Sequence, residues 1–315
     1  MTFASWGGSY QEAQRKAYLD PIEKETGIKI REETLGGLTE VRAQVFSGAV
    51  TWDLVDLGAT ECAQGQKEGL LEPLDYNIVN VDGFAKDAYD KDWAAIIYYS
   101  TIIAYNPEVK NPPKNWTDFF DVKDFPGRRA LYGRPQTMIE GALLADGVAP
   151  DKLYPLDLDR AFAKLKQIKP SIDVWWTSGA QSVQLLADGE VDMLAMWNGR
   201  VDALRDEGIP VDVTWKQGTL SMDCLAIPKG SKHKDAAMKV LARMISPELQ
   251  ANMPSYINYG PTTSLAFETG KITDAQKKIS PSSPEHAKDQ AVVKAAYWAE
   301  HGAEIQERWD AFMTE

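Results

Sequence analysis

Three histidines and two cysteines in 315 residues leave little material for the commonest catalytic and metal chemistries. His233, His286 and His301 all stand among charged residues of helical segments, which reads as solvated surface rather than a general base. Cys62 and Cys224 lie too far apart in sequence to give a metal-ligand spacing, and two cysteines alone leave a disulfide and two free thiols equally open. No GxGxxG, P-loop, HExxH, CxxC or GxSxG pattern occurs, so no catalytic residue, cofactor or metal is expected. Basic residues are outnumbered, 34 against 46 acids for a net charge of −12, and no basic tract appears; nucleic acid and anionic membranes are disfavoured as partners. Long apolar runs are missing too. The longest, "WAAIIYYSTIIAY" at 93–105, is broken by Ser100 and Thr101 and falls short of the roughly 20 residues that span a bilayer, so it reads as a buried strand. The opening "MTFASW" has neither a basic nor an apolar leader region, so any export signal has been removed or never existed, and the sequence reads as a mature form.

What is present is a folded globule, 44% hydrophobic and 10% aromatic, without repeats or low-complexity tracts and long enough for two cores. Strand-like and helix-like segments alternate, which points to α/β layers. "MTFASW" leads into "GGSYQEAQRKAYLDPIEKETG", where Ser9 and Glu12 have capping-box spacing. "IKIREETL", "GLTEVRAQVFSG" and "WDLVDLG" continue the rhythm as strand, helix and strand. In open α/β sheets the carboxyl ends of strands face the ligand, which draws the segments Trp6 to Tyr10 and Gly58 to Glu61, Thr60 among them, to one place. The Pro-rich segment after Tyr105 reads as a crossing into another lobe. "VWWTSGAQSVQLLADGEVDMLAMW" then runs strand, cap, helix, strand, with Ser178 and Gln181 at capping-box spacing and free amides beside Ser178 and Gly179 suited to an anion. "LSMDCLAIPKGSKHKD" reads as the return crossing, and the helical remainder is expected to pack on the first lobe.

One constellation carries chemistry. In "LAMWNGR", Asn198-Gly199 is a turn pair, which places Arg200 just past a strand end. There it either covers apolar surface with its stem or presents a fork to a carboxylate. In "LSMDCLAIP", Asp223 sits inside an apolar run, where a carboxylate needs a cation, either Arg200 or a ligand. Trp6, Trp176 and Trp197 each stand near a strand end; singly they are core candidates, and together they form a box for alkyl chains and ammonium groups. Tyr98 and Ser100 share one strand face and Tyr99 the other.

The blocks "YLDPIEKETGIKI", "WDLVDLG" followed by "EGLLEPLD", "NWTDFFDVKDFPG", "GEVDMLAMWNG", "MDCLAIPKGS" and "YINYGPTT" resemble, in order and over almost the whole chain, bacterial periplasmic solute-binding proteins of the spermidine/putrescine-binding type. The resemblance implies a two-lobed type II periplasmic-binding-protein fold with a ligand cleft between lobes and two hinge crossings. It places lobe 1 at 1–105 and 225–315 and lobe 2 at 106–224. It also implies a periplasmic location, a monomer, and delivery of a small molecule to the membrane permease of an ABC importer. In that family the aspartate of the "MD" block, here Asp223, takes a substrate amino group, and aromatics of the "SW" and "WNG" blocks, here Trp6 and Trp197, wall the alkyl chain. Arg200 departs from the polyamine pattern, since a cation beside the box repels a polyamine. Opposite charges suit a zwitterion, which resembles the γ-aminobutyrate (GABA)-binding branch. The expected ligand site is Arg200, Asp223, Trp6, Trp197, Trp176, Ser178, Gly179, Thr60, Ser100 and Tyr98. Rival readings are a polyamine carrier with Arg200 turned outward, a non-transport sensor, and a sugar-acting hydrolase using two of the 46 acids.

Overall fold

The computed structural model describes residues 1–315 as α/β, with the expected alternation present. Its chain divides into two compact units. The first holds Met1–Tyr98, Met222–Ser283 and Lys294–Glu300, and the second Tyr99–Ser221, Pro284–Val293 and His301–Glu315. No helix is long and apolar enough to cross a membrane.

In chain order, the elements that position the site begin with β1 (Thr2–Ser5), α1 (Gly8–Gln14), β2 (Arg31–Thr34), α2 (Leu38–Ser47), β3 (Leu54–Gly58) and α3 (Ala59–Lys67). Next come β4 (Trp93–Tyr105), β5 (Arg129–Tyr132), β6 (Val174–Trp176), α4 (Gly179–Ala187), β7 (Met193–Trp197) and α5 (Asn198–Asp206). The last are β8 (Asp212–Ala226) and the C-terminal helix α6 (Ala295–Thr314).

In the first unit β1 lies parallel to β2 and β3, and β3 runs antiparallel to the end of β8 with Gly58 opposite Asp223 and Leu57 opposite Cys224. Phe3, Ala4, Leu54, Val55 and Leu57 have no exposed surface, as strands covered on both faces require. Cys62, in the first turns of α3, is disulfide-bonded to Cys224 across 162 residues, which resolves the pairing that the sequence left open. The helix cap expected at Ser9 is made differently: Gly7, at φ 70°, precedes α1, and its amide is taken by Gln11 Oε1 at 2.9 Å. A side chain at position 7 would also meet Thr34 Cγ2 at 2.9 Å.

In the second unit the far half of β4 runs antiparallel to β7, with Thr101 opposite Trp197, and β5 lies parallel to both β6 and β7. Ile102, Ala130, Leu194, Met196 and Leu204 fill its core. Two expectations are corrected here. The first crossing falls inside β4, between Tyr98 and Tyr99, rather than in the Pro-rich segment after Tyr105, because the first half of β4 pairs with Gly260–Pro261 while its second half pairs with β7; the second, between Ser221 and Met222 in β8, lies within the segment expected as the return crossing. The C-terminal helix does not stay with the first unit. From His301 onward it belongs to the second, where Trp309 and Phe312 pack edge-on against Trp175, with ring centroids 5.7 and 5.8 Å away. His286, expected at the surface, is buried and stacked on Trp215 at 4.3 Å with planes 11° apart.

Candidate functional site

In the first unit the chemistry gathers around buried acids. Asp223 lies in β8 between Met222 and the disulfide-bonded Cys224; it is 8% exposed and has neither a cation nor a hydrogen-bond donor. Burial, then the neighbouring Asp56 and Glu61, hold its carboxyl well above the usual range. Asp56 of β3 is fully buried. Its Oδ2 accepts from Tyr10 Oη at 2.8 Å, from Gln14 Nε2, and from Ser5 Oγ at 3.5 Å, while Oδ1 has no partner. Burial outweighs those three donors and pushes its carboxyl up to about 7. Glu61, also raised by burial, spends both oxygens on backbone amides, those of Leu38 at 3.0 Å and Gly58 at 3.2 Å. Tyr10 packs edge-on to Tyr259, with ring centroids 5.4 Å apart. Trp6 follows β1 and is 39% exposed, a large apolar surface left open at a strand end. Thr60 is half-buried in the first turn of α3, and Tyr98 is buried in β4.

In the second unit the carboxyl ends of the parallel strands β5, β6 and β7 bring Tyr132, Trp176 and Trp197 together. Trp176 and Trp197 meet edge-on at 5.2 Å, Tyr132 lies 4.5 Å from Trp176, and Tyr99 approaches Trp197 edge-on at 6.4 Å. Trp197 keeps part of its surface exposed. Trp176 has none: it sits in the core with its indole N–H donating to the Ala195 carbonyl at 2.9 Å, so it braces Trp197 from behind. Ser100 likewise faces the interior. Its amide donates to Asn198 Oδ1 at 2.8 Å and its hydroxyl to Gln290 Oε1, so it is a scaffold residue in this structure.

Asn198 and Gly199 do not form the expected turn; they open α5 directly after β7, because the buried Asn198 side chain is held by the Ser100 amide. Arg200 therefore lies in the first turn of a helix. It makes no ion pair, and its Nε is shut off from water with no acceptor. Its guanidinium lies over Gly179, the first residue of α4. Ser178 caps that helix, its Oγ accepting from Gln181 N at 3.2 Å, while Gln181 Oε1 reaches the Thr177 amide at 2.9 Å. The Gly179 and Ala180 amides, as first-turn donors, have no intrahelical acceptor.

Sequence reasoning brought Tyr10 to the crevice only as the end of a segment, left Tyr99 open, and missed Asp56, Tyr132 and Tyr259. Asp56 carried the same signal as Asp223, an acid inside an apolar strand, in "WDLVDLG". Tyr132 and Tyr259 carried none, since their neighbours come from distant segments.

A family model described as bacterial extracellular solute-binding protein matches residues 17–279. The gamma-aminobutyric acid-binding protein of Pseudomonas aeruginosa is 34% identical over 99% of this chain and 90% of its own length. A solved ABC transporter substrate-binding protein from Bradyrhizobium japonicum is 45% identical, covers 99% of both chains, and superposes with a TM-score of 0.96. A solved GABA receptor is 40% identical over 99% of this chain and 97% of its own, with a TM-score of 0.90. The two-lobed periplasmic-binding-protein class expected from the sequence is borne out by these likenesses.

Proposed function

The chain belongs to the bacterial extracellular solute-binding protein family, and on that premise we propose that it captures a short ω-amino acid of the GABA type in the periplasm and delivers it to the membrane permease of an ABC importer. The observation that carries this reading is a pair of unsatisfied opposite charges. Asp223 is a buried carboxylate without a cation, and Arg200 is a guanidinium whose buried Nε has no acceptor. A zwitterion supplies what each lacks. Asp223 takes the ammonium, with Tyr10 and Trp6 as neighbouring aromatic surface; Arg200 takes the carboxylate, helped by the Gly179 and Ala180 amides and Ser178; Trp197 covers methylenes. The family carries solutes and the proposed site makes and breaks no covalent bond, which disfavours the hydrolase reading. A polyamine satisfies only the acid and leaves Arg200 facing a like charge.

Calorimetric titration of the purified protein with GABA, butylamine, butyrate and putrescine tests the reading. GABA is expected to bind, butylamine and butyrate to bind weakly or not at all. Putrescine binding tighter than GABA would reverse the assignment.

A further inference from the structure

Gly179 has no conformational reason to be glycine. It is the first residue of α4, outside the left-handed region, where alanine is the better helix former. The space a methyl group would fill is occupied by one side chain. A Cβ built at position 179 falls 2.5 Å from Arg200 Nε, 3.1 Å from its Cζ and 3.2 Å from its Cδ. The contact involves the inner part of the side chain, so a methyl group cannot be accommodated by turning the terminal amino groups; the whole guanidinium must leave. Arg200 Nε, closed off from water by this packing, has no acceptor, and Arg200 is tied down by no ion pair. Packing on a bare backbone is therefore what fixes this cation in place.

We propose that Gly179 is a positioning residue, the seat that sets the Arg200 guanidinium for a carboxylate, and that this seat makes the site select a carboxylate-bearing amine over a plain amine. The proposal rests on the reading that Arg200 meets the ligand's carboxylate, and it goes beyond it by naming what aims Arg200. With any side chain at position 179, Arg200 swings toward solvent and the carboxylate loses its partner while the acid in the first unit is untouched.

The experiment is a double-mutant cycle on Gly179→Ala, Arg200→Ala and the double variant, titrated calorimetrically with GABA and melted without ligand. Gly179→Ala is expected to weaken GABA by roughly 10- to 100-fold, as displacing one partner of a charged pair does. The unliganded melting temperature should be unchanged or slightly raised, since alanine suits the helix and a half-buried arginine can swing out freely. In the Arg200→Ala background the same substitution should cost nothing more, because the clash is gone. That background also keeps the test informative if Gly179→Ala alone folds poorly. GABA affinity within twofold of the parent in Gly179→Ala, or losses that add in the double variant, would overturn the seat while leaving the functional reading standing. A parent protein that binds no ω-amino acid would overturn both.

Discussion

Around Asp223 the first unit buries two carboxylates, Asp223 and Asp56, that no cation pairs, with the half-buried Glu61 beside them, whereas the second unit holds a half-buried guanidinium, Arg200, with no acid. Ordinary ion pairs occur elsewhere in each unit, Arg42 with Glu68 at 2.7 Å in the first and Arg128 with Asp192 at 2.8 Å in the second, and the buried Arg129 spends its donors on the carbonyls of Gly127, Phe119 and Phe125. The contrast within each unit is as telling as the contrast between them. Burying an unpaired charge costs free energy that folding alone does not repay, and such costs persist where function needs them. The two units carry this cost with opposite signs. The first defends its acids partly with hydrogen bonds, from Tyr10, Gln14 and Ser5 to Asp56. The second leaves its cation without an acceptor, packed over the bare backbone of Gly179.

The sharpest way to break the comparison is to neutralise the acid side. Asp223→Asn should cost GABA about 2 to 5 kcal/mol of binding, the penalty for a buried charge left without its partner, and should raise the melting temperature of the unliganded protein near pH 7. Calorimetry and a thermal melt read the two effects on one sample. A variant that keeps parental affinity would remove Asp223 from the ligand. Arg200→Ala should cost somewhat less, about 1 to 3 kcal/mol, because this side chain is only half-buried; it should not raise the melting temperature, and it should improve putrescine relative to GABA.

A pH titration sharpens the same contrast with no mutation in the site needed for the binding half of it. Asp223 faces Asp56, Glu61 and the Tyr10 hydroxyl, and Asp56 in turn faces Glu61, Tyr10 and Tyr18. Asp56 releases its proton at about 7 when folded, against an unfolded value near 3.9. Between those limits the folded chain holds a proton on Asp56 that the unfolded chain has lost, so the Asp56 contribution to stability falls as pH rises and the loss is complete above about 7. Burial raises Asp223 in the same direction, so parent and Asp223→Asn melted from acid to neutral pH should diverge with rising pH, the variant gaining in melting temperature over the parent. GABA affinity should move the other way, weakening as pH falls, because Asp223 must be ionised to hold an ammonium. A pH-independent affinity over this range would detach the acid cluster from the ligand.

The fold was legible because its signals are local. The alternation of apolar strands with helices, the Ser178 cap and the exact extent of the 93–105 strand are written in neighbouring residues. The charged pair was legible for a related reason: an acid in "LSMDCLAIP" violates its own surroundings. What was not legible depends on register and on contacts between distant segments. Whether Asn198 turns or begins a helix was decided by the Ser100 amide, 98 residues away. The C-terminal helix was misassigned because its partner, Trp175, lies far upstream. In β4, period-2 alternation correctly put Tyr98 and Ser100 on one face, but whether that face looked outward depended on neighbours, and it is Tyr99 that meets Trp197.

The smallest expected effect separates the two tryptophans of the second unit, which sequence placed side by side in the site. Trp197 retains exposed surface; Trp176 has none and gives its one polar atom to Ala195. If Trp197 alone touches the ligand, Trp197→Ala should weaken GABA by about 1 kcal/mol or more through lost contact, with little change in melting temperature. Trp176→Phe should reverse the pattern, since phenylalanine keeps most of the volume and the ring packing but drops the buried indole bond to the Ala195 carbonyl. About 1 to 2 kcal/mol of stability should be lost, with affinity changed by no more than about twofold. An affinity loss in Trp176→Phe as large as that in Trp197→Ala would mean that Trp176 reaches the ligand when it is bound, and that the buried position found here is one of two that the ring adopts.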